Sequence, residues 1–272
     1  DKAIAAYRSL LDIYPHDTWA LNNLAILYLD ARDFQRAEQL LRRAIEIDSA
    51  SALQYGNVIT AQVSQGKFEE ADATLERLAA KAPGHPNIPF TAAALASARF
   101  NYDTAEAIIR SFQEAHRASE FWQMATSFGL AQFAEVRGKL SDAEAIMGEL
   151  MARAERQGEL SLYLGAALRI GFYNAVLRGQ GGRAIEVVEA ALNRHPLSTV
   201  KSPDRPYEAL AMFYAIVERP GRARALLAAA DTAGDRGLGT EELDEEQIAR
   251  GMLALAEERV PEAIEYFRRA DE

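Results

Sequence analysis

The sequence predicts an all-α solenoid of antiparallel helix pairs, and three observations predict it. Alanine recurs at Ala3, Ala37, Ala71 and Ala105 in steps of 34 residues. Other positions keep that step: Tyr7, Leu41, Leu75 and Ile109, then Leu10, Ala44, Leu78 and Phe112. Within nearly every segment apolar residues recur at three- and four-residue spacing, as amphipathic helices require. A repeat of this length marks a stack of two-helix units rather than one globular core. Function in such a stack lies on a shared surface, not in a single pocket.

The elements follow in order. The chain opens inside a second helix carrying Ala3, Tyr7 and Leu10, which Pro15 closes. The first full repeat has Leu21, Leu24, Ala25 and Tyr28 on its first helix and Ala37, Leu41 and Ala44 on its second. The turn between them reads D-F-Q-R-A at 33–37 and returns as K-F-E-E-A at 67–71 and N-Y-D-T-A at 101–105. Gly66, Gly138 and Gly179 fall just after first helices, where a left-handed residue ends a helix. Beyond residue 110 the second-helix alanines continue at Ala143, Ala184, Ala223 and Ala263 with spacings of 38 to 41 residues. The extra residues extend helices or connections, since the alanine turn survives as K-L-S-D-A, G-G-R-A, P-G-R-A and V-P-E-A. Ser141 with Glu144 reads as a capping box. The acidic run Glu241, Glu242, Asp244, Glu245 and Glu246 opens a helix, where the dipole favours negative charge. The expected total is seven first helices and eight second helices in one continuous array over 1–272, with 34-residue repeats to 117 and longer ones over 118–272. No alternating β-branched run competes.

These motifs resemble the tetratricopeptide repeat (TPR) family. That family places an aromatic, then Leu, Gly or Ala, and Tyr on its first helix. Its second helix carries Ala, an aromatic or aliphatic residue, and a small residue, with Pro near the repeat end. Leu21, Leu24, Ala25, Tyr28, Ala37, Leu41 and Ala44 match, and Tyr207, Leu210, Ala211 and Tyr214 match again late in the chain. Ser49 and Arg117 stand where proline is usual, and Pro89 stands at an aromatic position. The resemblance implies a right-handed superhelix. The longer repeats resemble those in sensor arms of bacterial signalling regulators.

Composition narrows the function. A net charge of −10 without any basic run argues against nucleic acid. Zero cysteines exclude disulfides, thiol catalysis and cysteine-ligated zinc. No apolar run reaches membrane-spanning length, so no membrane partner is expected. Hydrophobic residues make up 49%, ample for helix-pair stacking. The first residue is not methionine, and the array is expected to be a piece of a larger, cytoplasmic protein. Oligomeric state is not legible.

No constellation carries catalysis, a metal or a cofactor. His16, His85, His116 and His195 each fall at an inter-repeat turn, about a helix pair apart, and read as exposed loop histidines. G-Q-G-G at 179–182 lacks the preceding strand and the lysine that a phosphate loop needs. G-D-R-G-L-G at 234–239 reads as a flexible connection.

The TPR resemblance places partner-binding residues on the first helices, which line the concave face. Transferred repeat by repeat, it implies Trp19, Asn22, Ile26 and Asp30, then Leu53, Gly56 and Thr60, then Asn87, Phe90 and Ala94. Phe128 and Gln132 follow, then Arg169 and Tyr173, and finally Arg205, Glu208 and Met212. The first three repeats lack Lys or Arg there, so the basic clamp with which some TPR domains grip chaperone tails is missing. The expected function is a non-catalytic scaffold binding a protein or peptide. The alternative is a regulatory sensor arm of a larger bacterial kinase, cyclase or transcription regulator.

Overall fold

The computed structural model describes residues 2–233 and 240–271. The described residues hold fifteen α-helices and no strand. They divide into two compact units, Asp1–Arg117 and Ala118–Glu272, at the point where the repeat lengthens. The connection at 234–239 and the side chains of Glu241 and Glu242 lie outside the described residues.

The first unit holds α1 (Lys2–Ile13), α2 (Thr18–Asp30), α3 (Phe34–Ile47), α4 (Ala52–Ser64), α5 (Phe68–Lys81), α6 (Asn87–Ala98) and α7 (Tyr102–Ala115). The second holds α8 (Glu120–Val136), α9 (Leu140–Gln157), α10 (Leu160–Phe172), α11 (Gly181–Arg194), α12 (Tyr207–Ile216), α13 (Pro220–Ala233), α14 (Thr240–Ala256) and α15 (Val260–Arg269). Even-numbered helices are the first helices of repeats and odd-numbered ones the second. Each first helix packs on the second helix of its own repeat.

The alanine period marks the closest approach within each pair. Ala37, Ala71, Ala105, Ala143, Ala184 and Ala223 are wholly buried, and Ala263 nearly so. Ala3, on α1, is exposed. The first helix answers with a small residue. Ala25, Ala93, Ala131, Ala211 and Gly251 each stand twelve residues before a crossing alanine, with Ile59 in that place in the second repeat. Glycine is required at two such positions. A Cβ on Gly251 would lie 2.5 Å from the Phe267 ring, and one on Gly171 would lie 2.7 Å from Val188 and 2.9 Å from Phe213.

Every turn within a repeat uses one backbone device. Five residues before each alanine sits a left-handed residue: Arg32, Gly66, Phe100, Gly138, Gly179, Glu218 and Glu258, with φ from 58° to 72°. The next amide donates back to a carbonyl five residues earlier, as Asp33 N does to Tyr28 O at 2.8 Å and Lys67 N to Gln62 O at 2.9 Å. This closes the first helix and reverses the chain. Asp33 and Asn101 then cap α3 and α7 with their side chains. Four turns place a Cβ-bearing residue where glycine costs least.

The longer repeats take their extra residues in different places. α8 and α9 are lengthened to 17 and 18 residues, against 13 and 14 for α2 and α3. The next repeat runs α10 into a π-helical turn, Tyr173–Leu177. There Gly171 precedes its alanine by thirteen residues, and Gln180 N reaches Asn174 O, six residues back, at 2.7 Å. One added residue is absorbed without moving the crossing. The connection from α11 to α12 holds two 3-10 turns, Leu197–Thr199 and Ser202–Asp204, anchored by the buried Val200.

Two sequence expectations need correction. α9 begins at Leu140 with Lys139 at its N-cap, so Ser141 lies inside the first turn and makes no capping box. Glu144 instead binds Arg178 and Arg183. The stretch Leu160–Leu177 does have the length and apolar composition of a membrane span, contrary to the reading of the sequence. Half of it is buried, and its Tyr163, Leu164 and Ile170 belong to the core of the second unit.

Two outcomes test this architecture. Ala71→Leu overpacks the α4–α5 crossing and lowers the urea midpoint by the equivalent of about 1–3 kcal/mol; an unchanged midpoint would contradict the register. Glu218→Gly relieves a left-handed residue and raises the thermal midpoint, whereas Gly66→Ala lowers it, each by the equivalent of about 1 kcal/mol of stability.

Candidate functional site

In the first unit, α2 and α4 lie side by side. Asn57 Nδ2 donates to Asn22 Oδ1 at 2.9 Å and ties them together. Trp19, Ile26 and Asp30 follow one another at helical spacing on α2, and Leu53, Gly56 and Thr60 do so on α4. Trp19 is 71% exposed, Leu53 50% and Ile26 37%. Three large apolar side chains therefore stand in solvent around one buried polar tie. Asn22 is 3% exposed and belongs to that tie, so the sequence reading of it as a contact residue is corrected: it holds the face and does not present itself. Phe90 on α6 is half-buried and packs edge-on against Phe112 of α7, with centroids 5.3 Å apart, so its ring closes that helix pair. Asn87 and Ala94 on α6 are exposed.

In the second unit, Phe128 and Gln132 are exposed on α8, four residues apart. Glu135 continues their face and accepts from Arg169 Nη2 of α10 at 2.5 Å. Arg169 Nε also donates to the Tyr173 hydroxyl at 3.3 Å, and its guanidinium lies over the Tyr173 ring. Tyr173 is 1% exposed, so it too is corrected: it positions Arg169 from beneath and offers no surface of its own. Burial pushes its hydroxyl up from the usual tyrosine range. Burial alone would lower the Arg169 guanidinium, but bonding to Tyr173 and Glu135 outweighs it. Phe128, Gln132, Glu135 and Arg169 thus form a second first-helix face. Glu135 was missed in the sequence, although it lies 34 residues before Arg169. On α12, Glu208 and Met212 are half-buried; Met212 packs on the core and Arg205 donates to Val200 O.

Successive repeats are joined by a recurring polar contact. The residue after the crossing alanine meets the residue before the left-handed turn of the next repeat. Glu38 accepts from Gln65 at 2.8 Å, and Asp72 pairs with Arg99 at 2.5 Å. Glu144 pairs with Arg178 in the same place. In Arg224–Glu257 the signs are exchanged. Glu38 is the most buried carboxylate of the set. Burial raises its pKa, but hydrogen bonds from Lys67, Arg42 and Gln65 outweigh that and hold it at about 2.

The histidines do not converge. His116 stacks on Phe112, while His195 meets Glu155 and the edge of Tyr163. Both are half-buried rather than exposed, because each closes a helix end against a ring. Among the described residues no group of His, Asp and Glu is placed to hold a metal.

Residues 1–57 match the tetratricopeptide repeat family model. Among solved structures, a tetratricopeptide repeat protein from Parabacteroides merdae ATCC 43184 has a TM-score of 0.52 and 16% identity, over 93% of this chain and 91% of that one. The tetratricopeptide repeat is therefore matched in sequence over residues 1–57, and the likeness of the whole chain to that solved structure is one of fold. YrrB, a TPR protein with an unusual peptide-binding site, has 17% identity and a TM-score of 0.37, over 70% of this chain and 93% of that one. None of the curated proteins matches.

Acid tests the buried carboxylate. Its folded pKa lies below its unfolded one, so its contribution is complete above about pH 4.5 and is lost as pH falls towards 2. Its size is on the order of 3 kcal/mol. Glu38→Gln should unfold at lower urea than the native chain at pH 7, and the gap should narrow at pH 3. A gap that is equal at both pH values would show that the carboxylate charge is not what the cluster uses.

Proposed function

We propose that this chain is a non-catalytic protein-interaction scaffold, and that its partner is a peptide or helix laid across exposed first-helix faces. One observation carries the reading. Trp19, Ile26 and Leu53 stand exposed on α2 and α4, whereas the opposite sides of the same helices are packed. Interface energy concentrates in such aromatic and arginine anchors. The face is open and mixes apolar with polar groups, unlike the enclosed, largely apolar sites that small metabolites prefer. Arg169 supports the second face in the same way. Its guanidinium is oriented by Glu135 and Tyr173, so little side-chain freedom is lost on binding. Charge and composition favour a protein partner over nucleic acid.

The test is selection of a random peptide library on the immobilised chain. Selected peptides should lose at least tenfold in affinity on Trp19→Ala with Leu53→Ala, or on Arg169→Ala, with the thermal midpoint retained. Affinity that survives both sets of changes places the site elsewhere.

A further inference from the structure

A groove of about 670 Å³ opens between α1 and α3, on the side of α2 away from Trp19 and Ile26. Its floor is apolar: Leu11, Leu24, Leu40 and the Tyr28 ring. Its rim is basic. Arg8, Arg36 and Arg43 line it, and Asp12 is the one carboxylate among its lining residues. Arg36 lies over the Tyr28 ring and also meets Asp33 outside the groove. Arg43 donates to the Pro15 carbonyl, an uncharged acceptor. Arg8 has no described carboxylate within ion-pair distance.

The repeat itself shows that this charge pattern departs from its neighbour. Shifted by 34 residues, Arg8 and Arg36 become Arg42 and Glu70. Those two bridge the next pair of second helices as an ion pair at 3.0 Å. At the same two positions here the chain places two arginines, in a protein whose net charge is −10. An ion pair between one pair of second helices is thus replaced by two like charges between the other.

We propose that this groove is a separate docking site for an acidic peptide whose aliphatic side chains alternate with carboxylates. The guanidiniums take the carboxylates, in pairs of hydrogen bonds where geometry allows. The leucine floor takes the aliphatic side chains, a use no inorganic anion would have for it. The volume lies within the range of about 300–1,000 Å³ that ligand sites occupy. The site lies on the second-helix side and is independent of the first-helix faces.

Fluorescence anisotropy of a dye-labelled hexapeptide of alternating glutamate and leucine tests it on the full chain. The peptide should bind, more weakly as salt rises. Arg8→Glu with Arg36→Glu should weaken binding at least tenfold, Arg8→Lys with Arg36→Lys should keep most of it, and Trp19→Ala should leave it unchanged. Both arginines are exposed, and the thermal midpoint reports folding directly; if charge reversal lowers it, Arg8→Gln with Arg36→Gln carries the comparison. The proposal fails if the peptide does not bind, or if charge reversal spares binding in a folded chain. It also fails if the lysine–leucine counterpart or hexaglutamate binds equally well, or if phosphatidylserine vesicles compete it away. Loss of binding through Trp19→Ala alone would return the peptide to the first-helix face.

Discussion

The structure depends on one close contact, the approach of two helices at an alanine. With no side chain beyond Cβ, the second helix comes within reach of the first helix's backbone, and the larger residues around it interdigitate. Packing at such density tolerates no added methylene groups. The partner residue on the first helix is small in every pair but that of Ile59, and at Gly171 and Gly251 even a methyl group would collide with Val188, Phe213 or Phe267. Everything else is arranged to bring each pair back to that crossing: the left-handed turn five residues earlier, the caps at Asp33 and Asn101, and the lengths of the connections.

Repeat length is free only where the crossing is not disturbed. The π-helical turn at Tyr173–Leu177 takes up one residue between Gly171 and Ala184, and the Asn174 carbonyl accepts from Gln180 instead of from the preceding residue. The same turn buries Tyr173 beneath Arg169. An adjustment demanded by chain length therefore also fixes the direction of a half-buried guanidinium.

Much of the fold was legible because a period is a collective signal. Seven alanines in register survive local departures such as Pro89 or Ser49. All seven left-handed positions could have been located from the alanines, although only three carry glycine. Individual side chains were less legible. Asn22 and Tyr173 occupy positions on the first-helix face, yet both are buried, because a neighbouring helix supplies a partner that spacing within one helix does not reveal. Ser141 fits a capping motif but lies inside α9, since Lys139 keeps the turn common to the other repeats. Leu160–Leu177 is apolar because two neighbours cover it, which a single-helix reading does not anticipate. Trp19, Phe128 and Gln132 are exposed and Arg169 is half-buried among the residues that the family resemblance assigned to the first-helix face.

The contact that joins successive repeats has a consequence for how such a chain evolves. Glu38, Asp72 and Glu144 put an acid on the leading side of the joint, while Arg224 puts a base there, with Glu257 as its match. Three of these joints share one polarity and the last is reversed. The repeat of α14 and α15, moved behind α3, α5 or α9, would set Glu257 against Glu38, Asp72 or Glu144. The repeats share an ancestry of shape, but the place of the last one is written into the chemistry of its joint.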